Sequence, residues 1–220
     1  MRKLCYAFLG LFVLSAFYIQ TLCGQNLTVN ITADGITHTI SSQPTLESVL
    51  EAVDIKHVTS IEIVDGIVSA NDWQYMKKIR SQQLSLERFV IAPSVSVADM
   101  PALLNSDSLY FGPALREFIA PGLKQLGDFA LYNSAKLVTV ELPQLTRIGK
   151  YAMAFCSSLS EIWLPSMEQV DMSAFMKCGL LTKVGMPKVG SIGVNVFDQT
   201  ALCTLQLGKK APSVIGRTFE

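Results

Sequence analysis

Along the second half of the chain, apolar residues return at fixed places with a period near 22. Five units open on Leu115, Leu137, Leu159, Leu181 and Leu202, spaced 22, 22, 22 and 21 residues apart. Their first, fourth and sixth positions are apolar: Leu115/Phe118/Ala120, Leu137/Val140/Leu142, Leu159/Ile162/Leu164, Leu181/Val184/Met186 and Leu202/Leu205/Leu207. This alternation predicts a short strand in each unit, with positions four and six on one face and positions three and five on the other. Pro121, Pro143, Pro165 and Pro187 follow at the seventh position. A proline has no N–H to give to a ladder, so it marks where each strand stops. Gly208 takes its place in the fifth unit.

The second half of the unit repeats as well. An apolar residue, usually followed by glycine, comes first: Leu126-Gly127, Ile148-Gly149, Val170-Asp171 and Ile192-Gly193. Ala130, Ala152, Ala174 and Val196 stand four residues later, small enough for the returning backbone to lie close to the strand layer. Leu131, Met153, Phe175 and Phe197 are the expected interior side chains, and Ser134, Cys156, Cys178 and Thr200 close the pattern. A unit this short cannot bury its apolar side alone, whereas stacked copies share one continuous core. Each unit is therefore expected to be one rung of a stack.

The stretch "LSEIWLPSMEQVDMSAFMKCGLL" resembles the LxxLxLP…IGxxAFxxCxxL signature of the BspA-like leucine-rich repeat proteins of bacterial surfaces. The likeness runs from about Leu115 to the end of the chain. Asp171 departs from the usual glycine, Phe155 is displaced from the usual phenylalanine place, and the last unit breaks off at "VIGRTFE". In the family a capping segment normally follows the last rung, so a partly exposed end is expected. The resemblance implies an α/β fold: a leucine-rich-repeat solenoid with short parallel strands, one per unit, behind a mixed α/β cap. It also implies a non-enzymatic, exported or surface-displayed protein that binds proteins or host surfaces.

Upstream of the repeats, "NLTVNI" and "ITHTIS" alternate around Ala33-Asp34-Gly35 and predict a hairpin. "PTLESVLEAV" has helical spacing with Pro44 near its start, and "VTSIEIVDG" reads as a strand. "SANDWQYMKKIRSQ" predicts a second helix, with Ser69 placed three residues ahead of Asp72 as its cap. "LERFVIAP" carries the strand pattern of the repeat, proline included, and reads as an irregular first rung followed by an excursion through Leu109. The expected organisation is an N-terminal α/β cap over 25–114, continuous with repeats over 115–220.

Residues 1–24 are expected to be an export signal: Arg2 and Lys3 precede an apolar run from Leu4 to Ile19, with small residues near Cys23 and Gly24. Nothing later in the sequence offers a second apolar run long enough to span a membrane. A lipid anchor on Cys23 is the rival reading, disfavoured because Gln20 and Leu22 sit where that signal calls for an aliphatic and a small residue. The predicted location is outside the cytoplasm, secreted or on the surface of a bacterium. Eighteen basic residues balance 18 acidic ones, so no net field draws nucleic acid. Of the five cysteines only Cys156, Cys178 and Cys203 lie beyond the signal, too few and too odd for a disulfide framework.

No catalytic constellation, cofactor motif or metal-binding spacing is found. His38 and His57 are the two histidines, and neither has a neighbour at ligand spacing. Positions three and five of the strands supply the candidate binding face: Glu117, Glu141, Glu161, Trp163 and Lys183, for a protein or host-surface partner. If adjacent rungs pair, Glu141 and Glu161 fall about 8 Å apart on the diagonal. That lies inside the ~6.5–9.5 Å of inverting glycosidases and leaves a carbohydrate-binding or glycan-processing role open. The plainer reading, solvated acids on an outer sheet face, is favoured. A structural spacer or truncated fragment is the third reading. Cys156 and Cys178 occupy one place in successive units and are expected as buried thiols, with a bridge as the alternative. Tyr132, Tyr151 and Met176 fall in the turns and are expected to decorate another edge.

Overall fold

The structure is a computed structural model that describes residues 26–79, 85–102, 110–214 and 216–217. The export signal expected over 1–24, with Cys23, lies outside the described residues, as do residues 103–109 of the excursion.

The hairpin forms as expected. Strands β1 (Leu27–Ala33) and β2 (Ile36–Gln43) pair antiparallel across a two-residue turn in which Asp34 (φ 51°) and Gly35 (φ 76°) are both left-handed. Helix α1 (Leu46–Leu50) is shorter than the ten residues its spacing suggested. Thr45 starts it with a reciprocal Ser48 box, but Ala52 and Val53 donate to carbonyls only three residues back, and Asp54 then caps a 3-10 turn over Ile55–His57. Next come β3 (Val58–Asp65), the short β4 (Ile67–Val68), α2 (Ala70–Ile79), β5 (Arg88–Ile91) and β6 (Ser96–Val97).

The repeats follow, each contributing a strand at the predicted positions and a second, two-residue strand beyond the one expected per unit. The first series is β7 (Glu117–Ile119), β9 (Thr139–Glu141), β11 (Glu161–Trp163), β13 (Lys183–Met186) and β15 (Thr204–Leu207). The second is β8 (Gln125–Leu126), β10 (Arg147–Ile148), β12 (Gln169–Val170), β14 (Ser191–Ile192) and β16 (Ser213–Val214). The second series forms one unbroken parallel sheet in the order β16-β14-β12-β10-β8. Of the first series, β7 and β9 join the upstream strands: β2-β1-β3-β5-β7-β9 is a six-stranded sheet in which β3, β5, β7 and β9 run parallel.

Between the two strand layers lies one core. Leu137, Leu159 and Leu181 are fully buried, as are Ala152, Ala174, Met153 and Phe175. Phe175 stacks on Phe197 with centroids 5.7 Å apart and an 8° interplanar angle, the same ring repeated one rung on. In the cap, Trp73 meets Phe89 and Tyr110, and Phe89 in turn stacks on Phe118, which carries the apolar column from α2 into the repeats. Asp72 ties the two helices together. It is 2 % exposed and accepts from the Leu46 N–H (2.6 Å), the Ser69 N–H (2.8 Å) and the Ser69 hydroxyl (2.6 Å).

The turns carry a backbone repeat that the side-chain pattern does not announce. Phe129, Tyr151, Ser173 and Asn195 all have φ between 54° and 60°, and Asn133, Phe155, Lys177 and Gln199 between 54° and 63°. A left-handed non-glycine residue costs roughly 1–2 kcal/mol. Rung-to-rung bonds offset the cost: Phe129, Tyr151 and Ser173 donate to the carbonyls of Lys150, Met172 and Val194 at 2.9, 3.1 and 2.9 Å. Cys156 and Cys178 are free buried thiols whose Sγ atoms donate to the Leu131 and Met153 carbonyls (3.4 and 3.2 Å).

Candidate functional site

Positions three and five of each unit do face outward, and their side chains form a row across the rungs. Thr139 and Glu141, Glu161 and Trp163, Lys183, Thr204 and Gln206 are exposed. Trp163 stands out at 50 % exposure, against full burial of Trp73. Its ring lies over the backbone of Gly185, its partner residue on β13. An ideal Cβ built on Gly185 would overlap Cε3 and Cζ3 of that ring. Gly185 keeps an ordinary negative-side backbone, so the missing side chain serves the indole and not the strand conformation.

The ladder of rungs is interrupted under this row. β7 pairs with β9, β11 with β13 and β13 with β15, but β9 and β11 do not pair and the strands fall into two sheets. The bonds at the flanking junctions show what is missing. Thr139 donates to the Arg116 carbonyl (3.0 Å) and Ala120 to Glu141 (3.1 Å); Leu164 donates to Gly185 (2.8 Å) and Thr182 to Ser160 (2.8 Å). The equivalent donors at the seam, Glu161 and Leu142, have no backbone partner among the described residues. Elsewhere the same two rungs stay joined: Arg147 and Ile148 pair with Gln169 and Val170, and Tyr151, Met153 and Phe155 donate to Met172, Ala174 and Met176. The rungs thus part on the strand side only, like a wedge.

The wedge opens a groove of ≈ 510 Å³ whose walls include Val140, Glu141, Glu161, Ile162, Trp163 and Lys183. Val140 shows the consequence. Phe118, Ile162 and Val184, which hold its place in the neighbouring rungs, are 0, 5 and 2 % exposed, whereas Val140 is only half-buried. Four of the five residues expected on the binding face therefore line one groove. The fifth, Glu117, stands apart on β7 and is bound by the Arg88 Nε at 2.7 Å. Lys183 is 3.9 Å from Glu161, an exposed pair worth little, while Glu141 has no ion pair among the described residues. The diagonal spacing of ~8 Å expected for Glu141 and Glu161 assumed a paired ladder. The structure does not bear out that premise, since β9 and β11 lie in different sheets.

A second surface was only partly visible in the sequence. Tyr132 and Tyr151 join Phe129 and Phe155 in a half-buried aromatic ridge along the turns. Phe129 stacks on Tyr151 at 5.3 Å and 9°, and Tyr132 meets Phe155 at 5.2 Å. Lys177 places its Nζ 5.0 Å from the Phe155 ring centre. Phe155 is thus displaced from the interior because it caps this ridge at a left-handed position. Among the described residues no three His, Cys, Asp or Glu side chains converge on a point where a metal could bind, and no helix is long and apolar enough to cross a membrane.

No curated protein matches the chain. A solved structure similar to it is the crystal structure of a T. pallidum leucine-rich repeat protein, with a TM-score of 0.47 and 18 % identity, covering 72 % of this chain and 78 % of that one. The family model for the BspA type leucine-rich repeat region matches residues 103–220 in six copies, one more than the five units aligned from Leu115. With rungs of the right period, fold and signature across more than half of its length, this chain belongs to the BspA-type leucine-rich repeat family.

Proposed function

We propose that this is an exported, non-enzymatic binding protein that holds a protein partner on the outer strand face around β9, β11 and β13. The observation that carries this reading is Trp163: an indole half in water, seated on a glycine beside an open groove with an acidic rim. Tryptophan is the side chain most enriched among residues that dominate binding energy, because it buries much area with few torsions to freeze. Stacked rungs present that face pre-ordered, so little conformational entropy is lost on association. The family supports a protein-binding scaffold in general terms. Adhesion and surface display follow from the resemblance of the repeat to bacterial surface proteins and from the charged-then-apolar start of the sequence.

The test uses three immobilised forms of the protein to capture partners from its natural surroundings: unaltered, Trp163→Ala with Glu141→Ala, and Gln125→Ala on the opposite sheet. The reading requires that the double variant lose the captured proteins while the Gln125 variant keeps them. Capture that survives the double substitution rejects the strand face as the contact surface.

A further inference from the structure

We propose that the seam between β9 and β11 receives an extended segment of the partner protein, which pairs as an added strand with both free edges at once. The inference rests on the strand face being the binding face and states how the partner is held there.

The backbone directions lead to it. In β9, Thr139 and Glu141 carry the bonds to β7, so Val140 between them turns its N–H and C=O the other way, toward the seam, as does the Leu142 N–H. In β11, the Ser160 carbonyl and the Leu164 N–H serve β13, so Glu161 and Trp163 point their backbone groups toward β9. Donors and acceptors therefore face one another from two parallel edges across the groove without meeting. An unpaired strand edge is a template for another chain, and here there are two, protected from lateral pairing because they are internal to the solenoid. Each edge is three residues long, about 10 Å at ~3.3 Å per residue, which suits a segment of three residues.

Side chains set the composition of that segment. A strand lying between β9 and β11 alternates its faces in register with theirs. Its middle residue points inward between Val140 and Ile162, where the half-buried Val140 shows that apolar cover is missing, so this residue is aliphatic. The residues on either side point outward, one beside Thr139 and Glu161, the other beside Glu141 and the face of Trp163. A carboxylate at each outward place, with an indole at the second, favours Lys or Arg there. The partner segment is basic, aliphatic, basic, in extended conformation.

The test is titration of the protein with the peptide acetyl-Gly-Lys-Val-Lys-Gly-amide. Trp163 fluorescence reads occupancy, and amide hydrogen exchange is followed at Val140, Leu142, Glu161 and Trp163. Saturable binding that slows exchange at these four amides at least ~10-fold is expected, together with loss of at least ~10-fold in affinity when the valine nitrogen is methylated, the size of one or two backbone hydrogen bonds. The Glu-Val-Glu analogue is expected not to bind. If the peptide binds through Trp163 but the four amides keep their free exchange rates and methylation makes no difference, insertion is overturned while the face remains a binding surface. Absence of binding by the Lys-Val-Lys peptide also overturns insertion, and partner capture by the Trp163 and Glu141 forms then decides separately whether the face itself is used.

Discussion

Replacing Gly185 by alanine tests the seat of the exposed indole. The new methyl group cannot coexist with the present ring, since its position coincides with Cε3 and Cζ3 of Trp163. Either β13 or the ring must move, and the ring is the freer of the two, because Gly185 is held in the ladder opposite Trp163 on one side and Gln206 on the other. A tryptophan buries up to ~250 Å² and this one is half exposed, so the buried half is worth at most about 3 kcal/mol at ~25 cal/mol per Å². Sliding the ring aside loses roughly a third to a half of that, about 1–1.5 kcal/mol. Alanine returns about 0.5–1 kcal/mol by stiffening the strand relative to glycine. The net change in stability is therefore small, below about 1 kcal/mol, and unfolding is a poor readout. Iodide quenching is a sharp one: Trp73 is fully buried, so a collisional quencher reports Trp163 alone. Gly185→Ala is expected to raise the quenching constant and move the exposed emission to the red, with little change in melting temperature. Unchanged quenching and emission would show that the ring does not rest on Gly185.

Three further outcomes follow from the packing. Phe175→Ala removes a fully buried ring stacked between rungs and is expected to cost about 3–5 kcal/mol in urea unfolding; a cost under ~1 kcal/mol would contradict the shared core. Asp72→Ala leaves the Leu46 and Ser69 N–H groups without their acceptor and is expected to cost ~2 kcal/mol or more, with exchange at Leu46 accelerating first. The neighbouring Cys178 thiol, and then burial, hold the Cys156 thiol well above its ordinary 9.0, and burial pushes Tyr110 from 10.0 up to about 12. Both groups bind their proton more tightly when folded, so their contribution is complete below the ordinary values and is lost as pH rises past them. Stability measured by denaturant titration should begin to fall above pH 9 and fall further between 10 and about 12. Cys156→Ala should delay the onset, and Tyr110→Phe should flatten the upper part; a profile flat to pH 12 would refute both assignments.

Leucines at 115, 137, 159, 181 and 202, with a proline one strand later in the first four units, were enough to place every strand of the first series, because burial of one face by a neighbouring copy leaves so few choices for those positions. The two-residue strands at Gln125, Arg147, Gln169, Ser191 and Ser213 were hidden, since a pair of residues is too short to show alternation. Helix α1 is shorter than its pattern predicts because Leu46, Val49 and Leu50 satisfy helical spacing while the residues after Glu51 turn away. Of the candidate face, exposure of Trp163, Glu141, Glu161 and Lys183 was legible from strand parity. Gly185 carries no side chain to signal a role, yet a bare backbone is what the adjacent indole requires. The seam itself was illegible. Neither Thr139-Val140-Glu141 nor Glu161-Ile162-Trp163 contains the glycine or proline that ordinarily announces a break in a ladder, and pairing between rungs is a property of the stack, not of either segment.

Amide hydrogen exchange in the partner-free protein tests the open seam most directly. Leu142 occupies the same place in its rung as Ala120 and Leu164, which donate across their junctions at 3.1 and 2.8 Å, Glu161 the same place as Thr139 and Lys183, and Trp163 the same place as Glu141 and Gly185. Leu142, Glu161 and Trp163 are expected to exchange at least ~10-fold faster than those counterparts, because no inter-rung bond must break first. Equal protection across the three junctions would mean that β9 and β11 are joined, and that the solenoid has no open seam for a partner to enter.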